Sequence, residues 1–106
     1  MRDHIQADVT VGTAMVDLHI PAAQSLKDRR SVVSRAVAAL KNELGASVAE
    51  VGGQDLWQRA ILGVAVCAPS PSSVERTIGR ITEMIERDPR VMVVRVMPVY
   101  DTHTYP

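Results

Sequence analysis

Hydrophobic and polar residues alternate along the first ordered part of the chain. Between Val11 and Ile20, one set of alternate positions is wholly apolar and the other is mixed (Thr13, Met15, Asp17 and His19). This period of two predicts a strand with one face on a core, and Pro21 ends it because proline cannot donate to a sheet ladder.

A helical pattern follows. Ser25 and Asp28 have the spacing of a capping box, apolar residues recur at helical spacing from Val33 to Leu44, and Gly45 supplies a stop. We predict a helix over residues 26–43. Its basic residues are expected to lie away from the core stripe: Lys27, Arg29, Arg30, Arg35 and Lys41.

The second half repeats this order. A short strand is predicted over Val48–Val51, turn residues follow from Gly52 to Asp55, and a longer strand runs from Trp57 to Ala68. Both faces of that strand are apolar, which predicts a place in the middle of a sheet. A capping box from Ser72 to Glu75 begins a second helix, which Asp88-Pro89 ends.

Residues Val91–Val99 complete the pattern as a fourth strand, with Val91, Val93, Arg95, Met97 and Val99 on one face. The tail Tyr100–Pro106 has no periodicity, so we expect mobile termini around an ordered core of about residues 8–99.

The predicted order β-α-β-β-α-β indicates an α+β fold, a split ferredoxin-like sandwich with two helices on one face of a four-stranded antiparallel sheet. The whole chain of 106 residues is expected to form a single domain. The uncovered face would carry the mixed residues of the first strand together with Arg95 and Met97. Because an exposed apolar sheet face marks an interface, we expect a homo-oligomer, a dimer through this open face.

The composition of the chain limits the classes of function that it can have. Lysine plus arginine equals aspartate plus glutamate at 12 each, so the basic excess of a dedicated nucleic-acid binder is missing. The single cysteine, Cys67, lies in an apolar run, and no histidine or cysteine pair has metal-ligand spacing. We expect no metal and no cofactor. An apolar leader and a membrane-spanning stretch are also missing, which predicts a cytoplasmic protein without membrane association.

Three groups of residues are candidates for function. Asp17 and His19 share a strand face and could act as an oriented base, or Asp17 could simply pair with Arg95 across strands. Lys27, Arg29 and Arg30 at the helix start could contact phosphates, or form a solvated helix face.

The third group is the densest polar segment, a hairpin that joins the second and third strands. It could be a satisfied turn network, with Trp57 as an anchor and Arg59 paired with Glu50 or Asp55, or a recognition surface. Its candidate residues are Glu50, Gln54, Asp55, Trp57, Gln58 and Arg59.

Two motifs carry a family resemblance. Ser25-Leu26-Lys27-Asp28-Arg29-Arg30 and the segment from Val48 to Ala60, which contains Gln54-Asp55-Leu56-Trp57-Gln58-Arg59, resemble the YlxP-like family of uncharacterised bacterial proteins. The match covers roughly residues 10–99. It implies a ferredoxin-like fold, and the family's genes often lie beside translation and ribosome-maturation factors, which implies ribosome or RNA association.

Two functions remain open. One is a non-enzymatic accessory protein that binds RNA, the ribosome or a translation factor through Lys27, Arg29, Arg30 and the hairpin. The other is a small cofactor-free enzyme or ligand-binding protein, for example in specialised metabolism, whose pocket at a dimer interface contains Asp17, His19, Arg59 and Arg95.

Overall fold

The computed structural model describes residues 4–106. In this part of the chain four strands and three helices follow one another: β1 (Asp8–His19), α1 (Leu26–Leu44), β2 (Ser47–Gly52), β3 (Arg59–Ala68), α2 (Pro71–Ile78), α3 (Ile81–Ile85) and β4 (Met92–Thr104). The sheet order is β2-β3-β1-β4 and every neighbouring pair is antiparallel. The predicted α+β sandwich is confirmed, and β3 lies in the middle of the sheet as its two apolar faces indicated.

The helices pack on one face of the sheet. Leu18 and Leu62 from the central strands lie in one buried cluster with Leu40 from α1 and with Val74 and Ile81 from the second helical region. Burying a side chain of this size stabilises the fold by about 1.5–3 kcal/mol. The core therefore lies between the sheet and the helices, and the opposite sheet face is left open.

Local signals explain the ends of α1. The Ser25 hydroxyl accepts a hydrogen bond from the Asp28 N–H at 3.0 Å, and the Asp28 carboxylate accepts one from the Gln24 N–H at 3.1 Å. Gly45 has a φ of 63°, the left-handed cap that glycine adopts without steric cost. The predicted helix and both of its end signals are confirmed.

The second helical region differs from its prediction. Its N-cap is Ser70, whose hydroxyl accepts from the Ser73 N–H at 3.3 Å, and not Ser72. Pro71 fits the first helical position because the N–H that it lacks has no helical partner there. The helix is interrupted at Gly79 and Arg80, so α2 and α3 form two short segments.

The prediction that β4 ends at Val99 is wrong, because the strand continues to Thr104 along a β1 that begins at Asp8. The hydroxyls of Thr10 and Thr102 share a hydrogen bond of 3.0 Å, and Thr10 is fully buried. The ordered core of residues 8–99 was therefore too short at its C-terminal end. Periodicity missed this extension because the side chains of residues 97–104 are exposed whichever face they lie on.

A β-bulge at Val94 changes which β4 side chains share a face. Leu18 pairs with Val93 whereas Asp17 pairs with Arg95, so Val94 is an extra residue in the ladder. As a result Val93 packs against the core while Arg95 and Met97 lie on the open face. The single five-residue face predicted for this strand is wrong, although the assignment of Arg95 and Met97 to the open face is confirmed.

Gly12 is the point of closest approach between the sheet and α2. A Cβ placed there would lie 2.3 Å from Val74 Cγ1 and 2.7 Å from Ile78 Cδ1. Any side chain at this position must displace the Val74 and Ile78 side chains or move α2 away from β1, and either change disturbs the core.

We therefore expect Gly12→Ala to destabilise the fold by about 1–3 kcal/mol, the usual cost of an overpacked core. Urea unfolding followed by circular dichroism measures the loss. The matched control is Ser34→Ala, on the exposed side of α1, which should change stability by no more than about 0.5 kcal/mol. Equal effects of the two substitutions would contradict the close approach.

Candidate functional site

A buried arginine connects the two sequence motifs. The Arg29 side chain is 3% exposed, its Nε donates to the Arg59 carbonyl at 2.9 Å, and its Nη2 pairs with Glu50 Oε1. Arg29 thereby joins α1 to the end of β2 and the start of β3. The prediction that Arg29 lies away from the core, available for phosphates, is wrong. Its charge is tolerated inside because the guanidinium is both paired and hydrogen-bonded.

Gln58 makes a second connection between the same regions. The side-chain amide of Gln58 donates to the Pro21 carbonyl at 2.9 Å and to the Ala23 carbonyl at 3.3 Å. The backbone carbonyl of Gln58 accepts from the Ile20 N–H at 2.9 Å. These bonds attach the hairpin to the segment between β1 and α1. Gln58 is therefore a structural residue and not a free recognition group.

The turn itself is closed by its own backbone. Gly53 has a φ of 78°, the Leu56 N–H donates to the Gly53 carbonyl at 3.0 Å, and the Gln54 amide reaches the Glu50 carbonyl at 3.4 Å. What remains for a partner is the loop tip, which we define as Asp55, Leu56 and Trp57. All three are exposed.

Trp57 does not anchor the sheet edge. It is 52% exposed and precedes β3, which begins at Arg59 and not at Trp57 as predicted. Leu56, at 55% exposed, was missed as a candidate residue. A signal was present, because two large apolar side chains lie side by side in a turn whose other residues are polar.

Exposed cations lie at the same end of the molecule. Lys27 and Arg30 are in the first turns of α1, and Lys27 lines a surface depression of about 310 Å³ together with Ala22 and Ala23. The Ala23 carbonyl is one of the acceptors of Gln58, the neighbour of Trp57. The hairpin therefore lies beside the segment that leads into α1.

Arg90 also lines that depression, but its guanidinium is bound to Asp88 at 2.7 Å. The hydrogen bond from the Arg90 side chain lowers the pKa of Asp88 below its usual value. Arg90 is therefore paired within the fold, whereas Lys27 and Arg30 are exposed.

The four residues of the enzyme hypothesis meet at one end of the open face. Arg59 lies opposite His19 and Arg95 lies opposite Asp17 in the sheet register. One Arg59 nitrogen contacts both Asp17 oxygens, at 2.7 and 2.9 Å.

The predicted Asp17–Arg95 pair is thus wrong, as is the pairing of Arg59 with Glu50 or Asp55. Asp17 and Arg59 share a face and lie diagonally across adjacent strands, whereas Glu50 pairs with the buried Arg29. The Asp17 carboxylate is consequently paired with the Arg59 guanidinium. Cys67 lies at the opposite end of β3 from Arg59.

Within residues 4–106, no group of three or more histidine, cysteine, aspartate or glutamate side chains is arranged to hold a metal ion. The same part of the chain contains no helix that is both long and apolar enough to span a bilayer.

Comparison with known proteins identifies the family. A family model described as "Protein of unknown function (DUF503)" matches residues 11–97, a span that includes both motifs. The chain belongs to this DUF503 family. It is 32% identical over 81 residues to the uncharacterised protein YlxP of Bacillus subtilis (strain 168), a match that covers 76% of this chain and 88% of YlxP. The predicted resemblance to YlxP-like proteins is confirmed.

Two de novo designed proteins are similar in structure, each at 17% identity and over 93% of this chain. The first, LFR1 1, is described as having a ferredoxin fold and matches with a TM-score of 0.44 over 87% of its own chain. The second, Foldit4, matches with a TM-score of 0.42 over 99% of its chain.

Replacing Arg29 tests whether the link between the motifs is structural. We expect Arg29→Ala to lower the free energy of unfolding by about 3 kcal/mol, because two acceptors lose their donor. Arg29→Lys should recover little of the loss, since an ammonium group has no planar fork to reach both. Arg30→Ala is the matched control and should cost no more than about 0.5 kcal/mol. Equal costs for Arg29 and Arg30 in urea unfolding would contradict the assignment.

The single tryptophan gives a direct test of the loop tip. Since Trp57 is half-exposed, Trp57→Ala should change stability by no more than about 0.5 kcal/mol. The native protein should show red-shifted tryptophan emission that acrylamide quenches readily. A loss of several kcal/mol or a blue-shifted, protected emission would show that Trp57 is buried.

Proposed function

We propose that this DUF503 protein is a non-enzymatic accessory protein that binds RNA, free or in the ribosome. The surface that binds is formed by the loop tip (Asp55, Leu56 and Trp57) and the two exposed cations Lys27 and Arg30. The observation that carries the proposal is the attachment of the hairpin to α1 by Arg29 and to the segment before α1 by Gln58, which holds the exposed Trp57 beside the start of the helix that carries Lys27 and Arg30.

This combination suits single-stranded RNA. An exposed aromatic ring stacks on an unpaired base, which contributes about 1–3 kcal/mol for each base, while nearby cations bind phosphates. Because Arg29 and Gln58 fix the loop, little conformational freedom is lost on binding. RNA-recognition domains of similar topology stack bases on aromatic side chains of the sheet. Here the central rows of the open face carry no aromatic side chain, so the proposal assigns stacking to Trp57 on the loop tip.

The net charge of the protein determines the expected affinity for RNA. The protein has zero net charge, and the proposed binding surface includes the exposed carboxylate of Asp55. Long-range electrostatic attraction to RNA is therefore weak. Binding should therefore be modest, with a shallow salt dependence set by the two cations Lys27 and Arg30. The gene neighbourhood implied by the family resemblance is consistent with a ribosomal RNA target and a cytoplasmic protein.

Co-sedimentation with ribosomes and fluorescence titration with single-stranded RNA test the proposal. Binding is expected at about 50 mM salt and should weaken as salt rises, with a slope of about 0.7 for each phosphate bound. RNA should quench Trp57 emission, and Trp57→Ala should weaken binding by roughly 5- to 150-fold, the equivalent of one stacked base. Lys27→Ala with Arg30→Ala should reduce the salt slope by about 0.7 for each phosphate that the variant no longer binds.

Lys41→Ala supplies the control, because Lys41 is an exposed cation in the last turn of the same helix. It should leave both affinity and salt slope unchanged. Absence of any RNA or ribosome binding by the parent protein at about 50 mM salt would overturn the proposed function.

A second candidate function is favoured by the meeting of Asp17, His19, Arg59 and Arg95 at one end of the open face. We propose it as a ligand-binding site for a small anion at a dimer interface, since Arg95 is exposed and Arg59 is half-exposed. Thermal-shift measurements with phosphate and small carboxylates test it. A stabilisation abolished by Arg95→Ala would support this site, and no stabilisation at millimolar ligand would exclude these anions.

A further inference from the structure

The outer edge of β4 is the long free edge of the sheet. β4 is last in the strand order β2-β3-β1-β4, and its 13 residues pair with β1 alone. The opposite edge strand, β2, has 6 residues, and there the Gln54 amide donates to the Glu50 carbonyl at 3.4 Å. An edge strand presents backbone N–H and C=O groups with which another strand can pair.

The hydrogen-bond pattern shows which β4 residues face outward. The Tyr105 N–H donates to the Ala7 carbonyl at 2.8 Å, one step beyond the end of the β1–β4 register. Bonded pairs alternate along an antiparallel ladder, so Asp101 and His103 also bond to β1. The backbone groups of the alternate residues therefore point to the outer edge: Val96, Pro98, Tyr100, Thr102 and Thr104.

The first part of this edge is closed to another strand, whereas the last part is open. The Val93 N–H donates to Glu86 Oε2 at 2.9 Å, and Pro98 has no N–H, and both features oppose strand addition. Among the described residues, no side chain accepts a hydrogen bond from the outward N–H groups between residues 100 and 104, which are exposed. The open part of the edge therefore follows Pro98.

The side chains of this open part match a second copy of the same segment. Antiparallel pairing about a two-fold axis through Thr102 places Tyr100 of each copy opposite Thr104 of the other. The same axis places Val99 opposite Tyr105, which are 67% and 61% exposed in one copy. Both combinations join an aromatic to a β-branched side chain, and such cross-strand pairs stabilise antiparallel strands.

The polar side chains select this register. Asp101 lies opposite His103 of the second copy, and within one chain His103 Nε2 already lies 3.2 Å from Asp101 Oδ2. Each carboxylate can thus accept from an imidazole of either chain. The neighbouring bonded registers, centred on Asp101 or on His103, would place a carboxylate opposite a carboxylate or an imidazole opposite an imidazole, and like charges directly opposite destabilise a strand pair.

Prolines match at both ends of the paired segment. The axis through Thr102 places Pro98 of each copy opposite Pro106 of the other. Neither residue has an N–H, so neither position leaves a donor without its partner. An unrelated extended peptide would share none of these matches by necessity, and a second copy provides all of them.

We propose that two copies of this chain join edge to edge, with residues 99–105 of each β4 paired antiparallel about Thr102 into one continuous sheet. Thr102 lies beside Thr10, at the opposite end of β1 from His19 and Arg59, where the hairpin enters β3. The contact is therefore separate from the loop tip and from RNA binding, and it leaves the open face uncovered.

The helices leave room for this contact. α2 lies over β1 at Gly12, one strand in from the edge. Three strand spacings then separate the two copies of α2, about 14 Å, which exceeds the 8–10 Å between packed helices. A single shared edge is a small interface, so we expect a weak dimer with a dissociation constant of about 0.1–1 mM.

Sedimentation equilibrium and NMR between about 20 µM and about 1 mM test the association. The mean mass should rise from 11.5 kDa toward twice that value. The amide resonances of Tyr100, Thr102 and Thr104 should shift with concentration, and their hydrogen exchange should slow. A chain that stays monomeric would overturn the proposal and leave this edge to an extended segment of another protein. Shifts confined to Met15 and Met97 would place the contact on the open face and would overturn it equally.

Removing the central donor tests the edge itself. Thr102→Pro should raise the dissociation constant by about tenfold or more, because the N–H of each copy is lost from the middle of the ladder. The strand should tolerate this proline as it tolerates Pro98, and circular dichroism verifies the fold. Thr102→Val is the control, because it keeps the N–H and loses only the hydroxyl that bonds to Thr10. A Thr102→Pro variant as dimeric as the parent would refute the pairing.

Two substitutions test the register. His103→Asp places carboxylates opposite one another, and Asp101→His does the same with imidazoles, so each variant alone should dimerise about fivefold more weakly than the parent. When the two variants are mixed, every carboxylate again faces an imidazole, and the mixed dimer should form as readily as that of the parent. A mixture that associates no better than either variant alone would rule out pairing about Thr102.

Discussion

The buried ion pair of Arg29 and Glu50 holds together the start of α1, the end of β2 and the hairpin that leads into β3. A guanidinium that is 3% exposed must satisfy its donors inside the protein, and it does so with a carboxylate of β2 and a carbonyl at the start of β3. Removing either partner would leave a charge without compensation, which is far more costly than losing an exposed ion pair. The start of α1, the end of β2 and the hairpin are therefore fixed relative to one another.

This constraint explains why the two motifs occur together in one chain. The first motif supplies Arg29 and the cap of the helix that carries it. The second supplies Glu50, the Arg59 carbonyl and Gln58, whose amide attaches the loop to the segment before α1. Most polar residues of the two motifs that could bind a partner are therefore engaged in contacts within the protein. Leu56 and Trp57 at the loop tip remain exposed.

The two faces of the sheet differ in how they are packed. The helix face is closed by an aliphatic core so tight that Gly12 leaves no room for a methyl group beneath α2. The open face carries exposed apolar side chains, Met15 on β1, Met97 and Val99 on β4, and Val51 on β2.

Periodicity alone determined the order of the strands and helices, the central place of β3, and the ends of α1, since each depends on local spacing or on a nearby cap. It also placed Met97 and Arg95 on the open face. Tertiary structure decided the rest. The sequence pattern predicts that Arg29 lies on the surface, because its partner Glu50 is 21 positions away and only the fold brings the two together. The bulge at Val94 and the extension of β4 to Thr104 depend on the register with β1, a pairing between the two ends of the chain that no local pattern records.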